Sequence, residues 1–192
     1  VWEIGEKRGA KNSVGHPIHG VALKVTDIDS GEELPYGQEG ILHVKGSGVM
    51  KGYLNQPEKT AEVLKDGWYN TGDMAKVDEN GYITLTGRLS RFSKIAGEMV
   101  PHGGVEEVIH EVLESSETKV VITGRPDKVK GEKLIALYTD LDFEIQDLLK
   151  GMKEKGLPNL WIPKANDFKQ VEDFPLLGSG KLDLQALKSL EV

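Results

Sequence analysis

The 192-residue chain has no cysteine, so disulfides, thiolate metal sites and cysteine nucleophiles are excluded. That fits a reducing compartment. Long apolar runs are also missing: nothing approaches the roughly 18 residues of a membrane span. The opening "VWEIGEKRGAKNSVG" lacks the apolar centre of a signal peptide, so the expectation is a soluble, cytoplasmic chain. Positive charge is in deficit, with 24 Lys and Arg against 31 Asp and Glu, a formal net charge of −7. Without a basic patch, nucleic acid is not an expected partner. The lysines at 128, 130 and 133, and at 150, 153 and 155, lie among acids and read as solvated faces; the sharper alternative is docking of an acidic carrier protein. Histidines are few and scattered. His16 and His19 flank Pro17, which argues against a helix, and no carboxylate cluster accompanies them, so no metal site is expected. The Gly-x-Ser-x-Gly elbow of serine hydrolases is absent.

Residues 1–89 read mostly as strands. "VALKVTDIDSGEEL" alternates Val21, Leu23 and Val25 before a turn, and "GILHVKG" puts Leu42 and Val44 on one face. "QPEKTAEVLKDG" predicts a short helix closing at Gly67. "DMAKVDENGYITLTG" predicts a hairpin, with Ile83 and Leu85 facing one way. From residue 90 the pattern becomes mixed α/β. "GGVEEVIHEVLES" carries apolar residues at helical spacing, "KVVITG" and "KLIALYT" read as strands, and "DFEIQDLLKGMKEKG" reads as a helix capped by Asp142. "DFKQVEDF" reads as a further strand and "DLQALKSL" as a terminal helix. The expected fold class is therefore α+β, with a domain boundary at "TGRLSRFSK" that divides 1–89 from 90–192.

Three positions draw attention on chemical grounds. Lys181 follows Gly178-Ser179-Gly180, a device for carrying one positive charge into a site, although an exposed turn lysine is the simpler reading of that segment alone. It is not a phosphate-binding P-loop, because Pro175 and Leu182 occupy positions where that motif needs Gly and Ser or Thr. Asp73, in "WYNTGDMA", can accept hydrogen bonds from a sugar diol or shape a turn. Arg88, in "TGR", can meet a phosphate, a ribose or a neighbouring carboxylate.

In order, "GWYNTGDMA", "NGYITLTGR", "SKIAGEMV", "VKGEKLIAL" and "PLLGSGKLD" resemble the C-terminal part of the adenylate-forming superfamily of acyl-CoA synthetases, peptide-synthetase adenylation domains and beetle luciferases. "VGHPIHGVALKV" and "GQEGILHVKGSGVMKGYLNQPEKT" resemble its strand-rich, barrel-like segment upstream, so the likeness covers nearly the whole chain. "RFSKIAGEMV", "GLPNLWIPK" and "PLLGSGK" are most similar to bacterial acyl–acyl-carrier-protein synthetases and the 2-acylglycerophosphoethanolamine acyltransferases that contain such a unit. The resemblance implies the end of a large adenylation domain followed by a small mobile C-terminal domain, with the adenylation half of the same enzyme upstream. It implies a fatty acid as substrate and ATP with Mg in the complete enzyme. The acceptor would be the phosphopantetheine of acyl carrier protein, favoured here, or CoA, and the product could feed lysophospholipid reacylation. The complete protein would then work at the cytoplasmic face of the inner membrane, and this chain alone would be inactive.

On that resemblance Lys181 is the adenylation lysine, Asp73 holds the ribose hydroxyls and Arg88 lies beside them. Tyr69 and Leu85 are placed along the nucleotide pocket, with packing an equal explanation for both. Lys94 belongs to the face used in thioester formation, and Gly97 lets backbone approach the pantetheine arm. Ser90 and Arg91 form the hinge. Departures are visible: Ser90 stands where Asp or Lys is frequent, Gly104 replaces a glutamate while Glu106 keeps the later acidic position, and Met99 stands where some CoA ligases have a phosphate-contacting arginine. The rival reading is a non-catalytic docking module that holds acyl carrier protein through Lys119, Arg125 and Lys128.

Overall fold

The computed structural model describes residues 12–115, 119–140 and 143–190. Contacts divide the chain into two compact units, with the division between Leu89 and Ser90.

The first unit is one antiparallel sheet. Strands β1 (Val21–Thr26), β2 (Gly40–Gly46) and β4 (Trp68–Val77) lie side by side, and β4 carries β3 (Leu64–Lys65) and β5 (Ile83–Arg88) on its other edge. Alternation puts Leu23 and Val25, Leu42 and Val44, Ala75 and Val77, and Ile83 into one apolar cluster. Asp78 shapes the β4–β5 turn, its carboxylate accepting the Asn80 and Tyr82 amides at 2.9 Å each. Helix α1 (Pro57–Val63) starts at its proline as expected but ends before the predicted Gly67. Leu64 and Lys65 leave the helix to pair with Tyr69 and Trp68, so strand hydrogen bonds replace a last helical turn.

The second unit is a five-stranded sheet covered on both faces. It contains β6 (Phe92–Ile95), β7 (Glu98–Pro101), α2 (His102–Val112), β8 (Val120–Asp127), β9 (Gly131–Tyr138), α3 (Ile145–Glu154), β10 (Phe168–Gln170) and α4 (Leu184–Ser189). Strand β9 is central, antiparallel to β8 along its length and parallel to the short β10. Val120, Ile122, Leu134 and Ala136 face Val105 and Ile109 of α2 and Leu148 and Met152 of α3. Val121, Ile135 and Leu137 face Leu187 of α4 on the other side. Two covered faces explain why these strands read as unbroken apolar runs. Asp142 lies outside the described residues; α3 begins at Ile145, with Glu144 before it and no side-chain cap. At α4, Asp183 caps the first turn by accepting the Gln185 and Ala186 amides at 3.0 Å.

The hairpin β6–β7 has no counterpart among the predicted strands. The inward positions of β6 are Ser93 and Ile95, 1 % and 2 % exposed, and Val100 of β7 lies opposite Ser93. A polar residue in an inward position hides the alternation. Ser93 is tolerated there because its hydroxyl meets His102 Nε2 at 2.9 Å.

Candidate functional site

Two irregularities in the first sheet build the surroundings of Asp73. Ile41 faces Met74 while His43 faces Asn70, so two steps along β2 are matched by four along β4. On the opposite edge Met74 faces Gly87 but Ala75 faces Leu85, which leaves Thr86 as an extra residue. Gly72 takes φ +70 inside the first bulge, a conformation that glycine adopts at little cost. Local hydrogen bonds hold the distortion. Thr71 Oγ1 donates to the Leu42 carbonyl at 2.9 Å and accepts the Asp73 amide at 3.0 Å, and Asn70 Oδ1 accepts the Gly72 amide at 2.9 Å.

The bulges bring Asp73 opposite Arg88. Arg88 Nε lies 2.7 Å from Asp73 Oδ1, and Nη1 donates to the Thr71 carbonyl at 3.3 Å. The carboxylate is the sheltered partner, 21 % exposed, and the guanidinium is 63 % exposed. The Tyr69 phenol is raised above its ordinary value, first by a hydrogen bond with Tyr53 and then by burial, and it feels the charges of both Arg88 and Asp73. Leu85 faces Ala75 across the ladder and is 44 % exposed. The structure thus brings Tyr69, Asp73 and Arg88 together and sets Leu85 two ladder pairs away. Tyr53 joins them without having been singled out in the sequence; its only signal was its place in "KGYLNQPEKT". Its amide donates to Thr60 Oγ1 at 2.9 Å, which ties it to α1. A sheltered carboxylate beside an outward guanidinium can accept from a diol and offer a cation to an anionic group at the same place.

In the second unit Lys94 and Gly97 sit on one hairpin. Ile95 faces Glu98, and the connecting Ala96 and Gly97 have φ +51 and +89, as a two-residue turn between twisted strands requires. The Ala96 amide donates to the Lys130 carbonyl at 2.8 Å and the Lys94 amide to Glu132 Oε2 at 2.6 Å, so the hairpin is tied to the neighbouring β8–β9 turn. Lys181 lies elsewhere, on a tight loop closed by Leu177 N to Lys181 O at 2.7 Å and Gly180 N to Leu177 O at 2.8 Å. The loop is more constrained than its glycines imply. The Lys181 side chain is exposed and enters no ion pair among the described residues.

The junction Leu89–Arg91 is a single 3-10 turn. Ser90 is exposed, whereas Arg91 pairs with Glu106 and donates to the Ile122 carbonyl at 3.1 Å. Beside this pair, burial chiefly, with the charges of Arg91 and Lys188, pushes the His102 imidazole down to about 3.

The trio Lys119, Arg125 and Lys128 does not form a patch. Arg125 donates to the Leu187 and Leu190 carbonyls at 3.2 and 2.8 Å, capping the end of α4. Lys119 and Lys128 flank opposite ends of β8, which spans roughly 23 Å at ~3.3 Å per residue. Among the lysine runs, Lys133 pairs with Asp167 at 2.5 Å, Lys155 with Glu111 at 3.0 Å and Lys150 with Glu154 at 3.8 Å. No helix among the described residues is long and apolar enough to cross a membrane.

Residues 2–54 match the family model described as AMP-binding enzyme. Over 94 % of its length the chain is 46 % identical to YdaB of Bacillus subtilis, a protein named provisionally as an acyl-CoA ligase, and it covers 35 % of that protein. It is 32 % identical to a long-chain-fatty-acid–CoA ligase of Yersinia pestis over 94 % of this chain and 31 % of the relative. Among solved structures, o-succinylbenzoate-CoA synthetase of Bacillus subtilis, in complex with its acyl-adenylate intermediate, superposes with a TM-score of 0.75 at 26 % identity, over 94 % of this chain and 36 % of the other. ATP-bound MatB from Rhodopseudomonas palustris gives 0.73 at 30 % identity, over 96 % and 37 %. The chain spans about a third of the length of the curated relatives it matches.

Proposed function

We propose that the chain belongs to the AMP-binding enzyme family of the acyl-CoA ligase superfamily, as its matches to that family model and to bacterial ligases support, and that it is the C-terminal third of an ATP-dependent fatty acyl-adenylating ligase. The reading is carried by the sheltered Asp73 held against Arg88 at the double bulge, with the Tyr69 phenol close enough to feel both charges. In the complete enzyme Asp73 accepts hydrogen bonds from the ribose hydroxyls of ATP, Arg88 lies beside the same sugar, and Tyr69 and Leu85 flank it. The fatty acid carboxylate attacks the α-phosphorus, the bond to the bridging oxygen breaks, and pyrophosphate leaves. The Lys181 ammonium stabilises negative charge developing between carboxylate and phosphate oxygens. Of the two expected hinge residues, Ser90 is the exposed one, and rotation there then turns the second unit. A pantetheine thiolate attacks the acyl carbon, AMP departs, and the thioester forms on the side of Lys94 and Gly97. Magnesium would arrive on the triphosphate; no group of three or more acidic or histidine side chains suited to a metal is present among the described residues.

The names of the bacterial relatives support CoA as the acceptor. A second reading, carrier-bound pantetheine with an outlet to lysophospholipids, is favoured by Met99, which stands where some CoA ligases have an arginine for phosphate.

In the complete enzyme, Lys181→Ala is expected to lower fatty-acid-dependent pyrophosphate exchange by about 100-fold or more, because the charge acts chiefly in the transition state. Unchanged exchange would remove the lysine from the reaction. Offering CoA and acyl carrier protein in parallel to the unaltered enzyme decides the acceptor.

A further inference from the structure

The first residues of the second unit are fastened to its sheet by side chains. Strand β8 pairs with β9 along one edge. At Ile122 its other edge is met by Arg91 and Glu106. Arg91 Nη1 donates to the Ile122 carbonyl at 3.1 Å, Glu106 Oε1 accepts the Ile122 amide at 2.6 Å, and Arg91 Nη2 closes the ring on Glu106 Oε2. One donor and one acceptor are thus offered to a single residue's backbone, as a neighbouring strand would offer them. The two side chains are 19 % and 15 % exposed, so the ring is largely out of water.

Two residues further on, Ser93 bears on β8 as well. A Cβ placed on Gly124 would stand 2.2 Å from Ser93 Oγ. β6 pairs with β7 along its length, but the hairpin's backbone ladder to the rest of the sheet is short, for β6 meets β9 at a single pair, Ile95 with Gly131, at its far end. Ser90, one residue before the ring, is exposed and makes no side-chain hydrogen bond among the described residues.

We propose that Arg91 and Glu106 act together as positioning residues that weld the start of β6 to the sheet of the second unit. Reorientation of that unit is then taken up at Leu89 and Ser90, and the Lys94–Gly97 hairpin travels with the sheet. Arginine suits the task because its planar fork can bridge a carbonyl and a carboxylate at once, which an ammonium does poorly. The weld stands on contacts within one unit; its effect on catalysis rests on the function proposed above. Loosening the root of β6 should displace Lys94, three residues beyond Arg91, far more than Lys181, which is held by its own loop and by α4.

Two measurements test this with Arg91→Ala. Amide hydrogen exchange on the 192-residue chain is expected to quicken by about tenfold or more at Ile122 and through Phe92–Lys94, with Leu134–Leu137 changed by less than about twofold. In the complete enzyme, thioester formation is expected to fall about tenfold or more while pyrophosphate exchange stays within about threefold, and Arg91→Lys to recover part of the loss. Exchange that quickens evenly over β8 and β9, exchange that does not change, or equal losses in both half-reactions would overturn the weld. Should Arg91→Ala fail to fold, Glu106→Gln keeps an oxygen for the Ile122 amide, removes the charge, and reads the same contrast. A complete enzyme that adenylates nothing would overturn the proposed function, and hydrogen exchange would still decide the weld.

Discussion

Burial holds the His102 imidazole neutral, and the charges of Arg91 and Lys188 reinforce it, so its value falls to about 3 from an ordinary 6.5. The unfolded chain therefore binds a proton that the folded chain refuses between those two values. The associated stability is complete above pH 6.5 and is lost as pH falls toward 3. From pH 6.5 to pH 5 the second unit should lose about 2 kcal/mol from this residue alone. Urea midpoints at the two pH values, compared with those of His102→Gln, measure it; the variant should show a flatter dependence, and an equal slope in both proteins would assign the acid sensitivity elsewhere. Ser93 completes the same small network, and its hydroxyl satisfies the ring nitrogen that faces it. At this scale the sequence displayed Asp73, Arg88 and Lys181 through their settings among glycines and aromatics. It left Arg88 open between ligand and ion pair, and the structure shows the ion pair. His102 and Glu106 gave no local sign of their environment, because burial is a property of what packs over them.

Strand β8 shows at the level of elements how closely two segments can be fitted. Gly124 faces Ser93 Oγ so tightly that a methyl group has no room, with Glu132 Oε1 at 3.3 Å on another side. Gly124→Ala should destabilise the second unit by about 1–3 kcal/mol, the usual range for overpacking. Adding Ser93→Ala should restore part of that by removing the hydroxyl, though it leaves His102 without its partner. Equilibrium denaturation of the two variants checks this coupling, and additive losses would mean that the two residues do not interact. Strands β8 and β9 were legible because both faces are apolar, and α2, α3 and α4 because their periodicity is local, with a side-chain cap added at α4. The β6–β7 hairpin was not, since its inward serine breaks the alternation. Nor was the end of α1, where pairing with β4 outweighs helix propensity in a two-residue strand.

Over the whole molecule, the apolar clusters respect the division at Leu89 and Ser90: one belongs to the first sheet and two cover the faces of the second. Ile109 is fully buried against the second sheet, and Ile109→Ala should cost about 2–5 kcal/mol there. Residue-resolved hydrogen exchange is expected to show protection lost across β8, β9 and α3 while β2 and β4 keep theirs. Equal losses in both units would show instead that they unfold as one. The sequence by itself determined the order of the longer strands and helices, the α+β class, the change of pattern near residue 90 and the family resemblance, because hydrophobic period, turn residues and motif spacing are written along the chain. Only the tertiary structure decided that Asp73 meets Arg88, that Arg91 is bound to Glu106 and Ile122, and that Arg125 caps a helix. Each of these depends on register between segments far apart in sequence, where a slip of one residue turns every side chain to the opposite face.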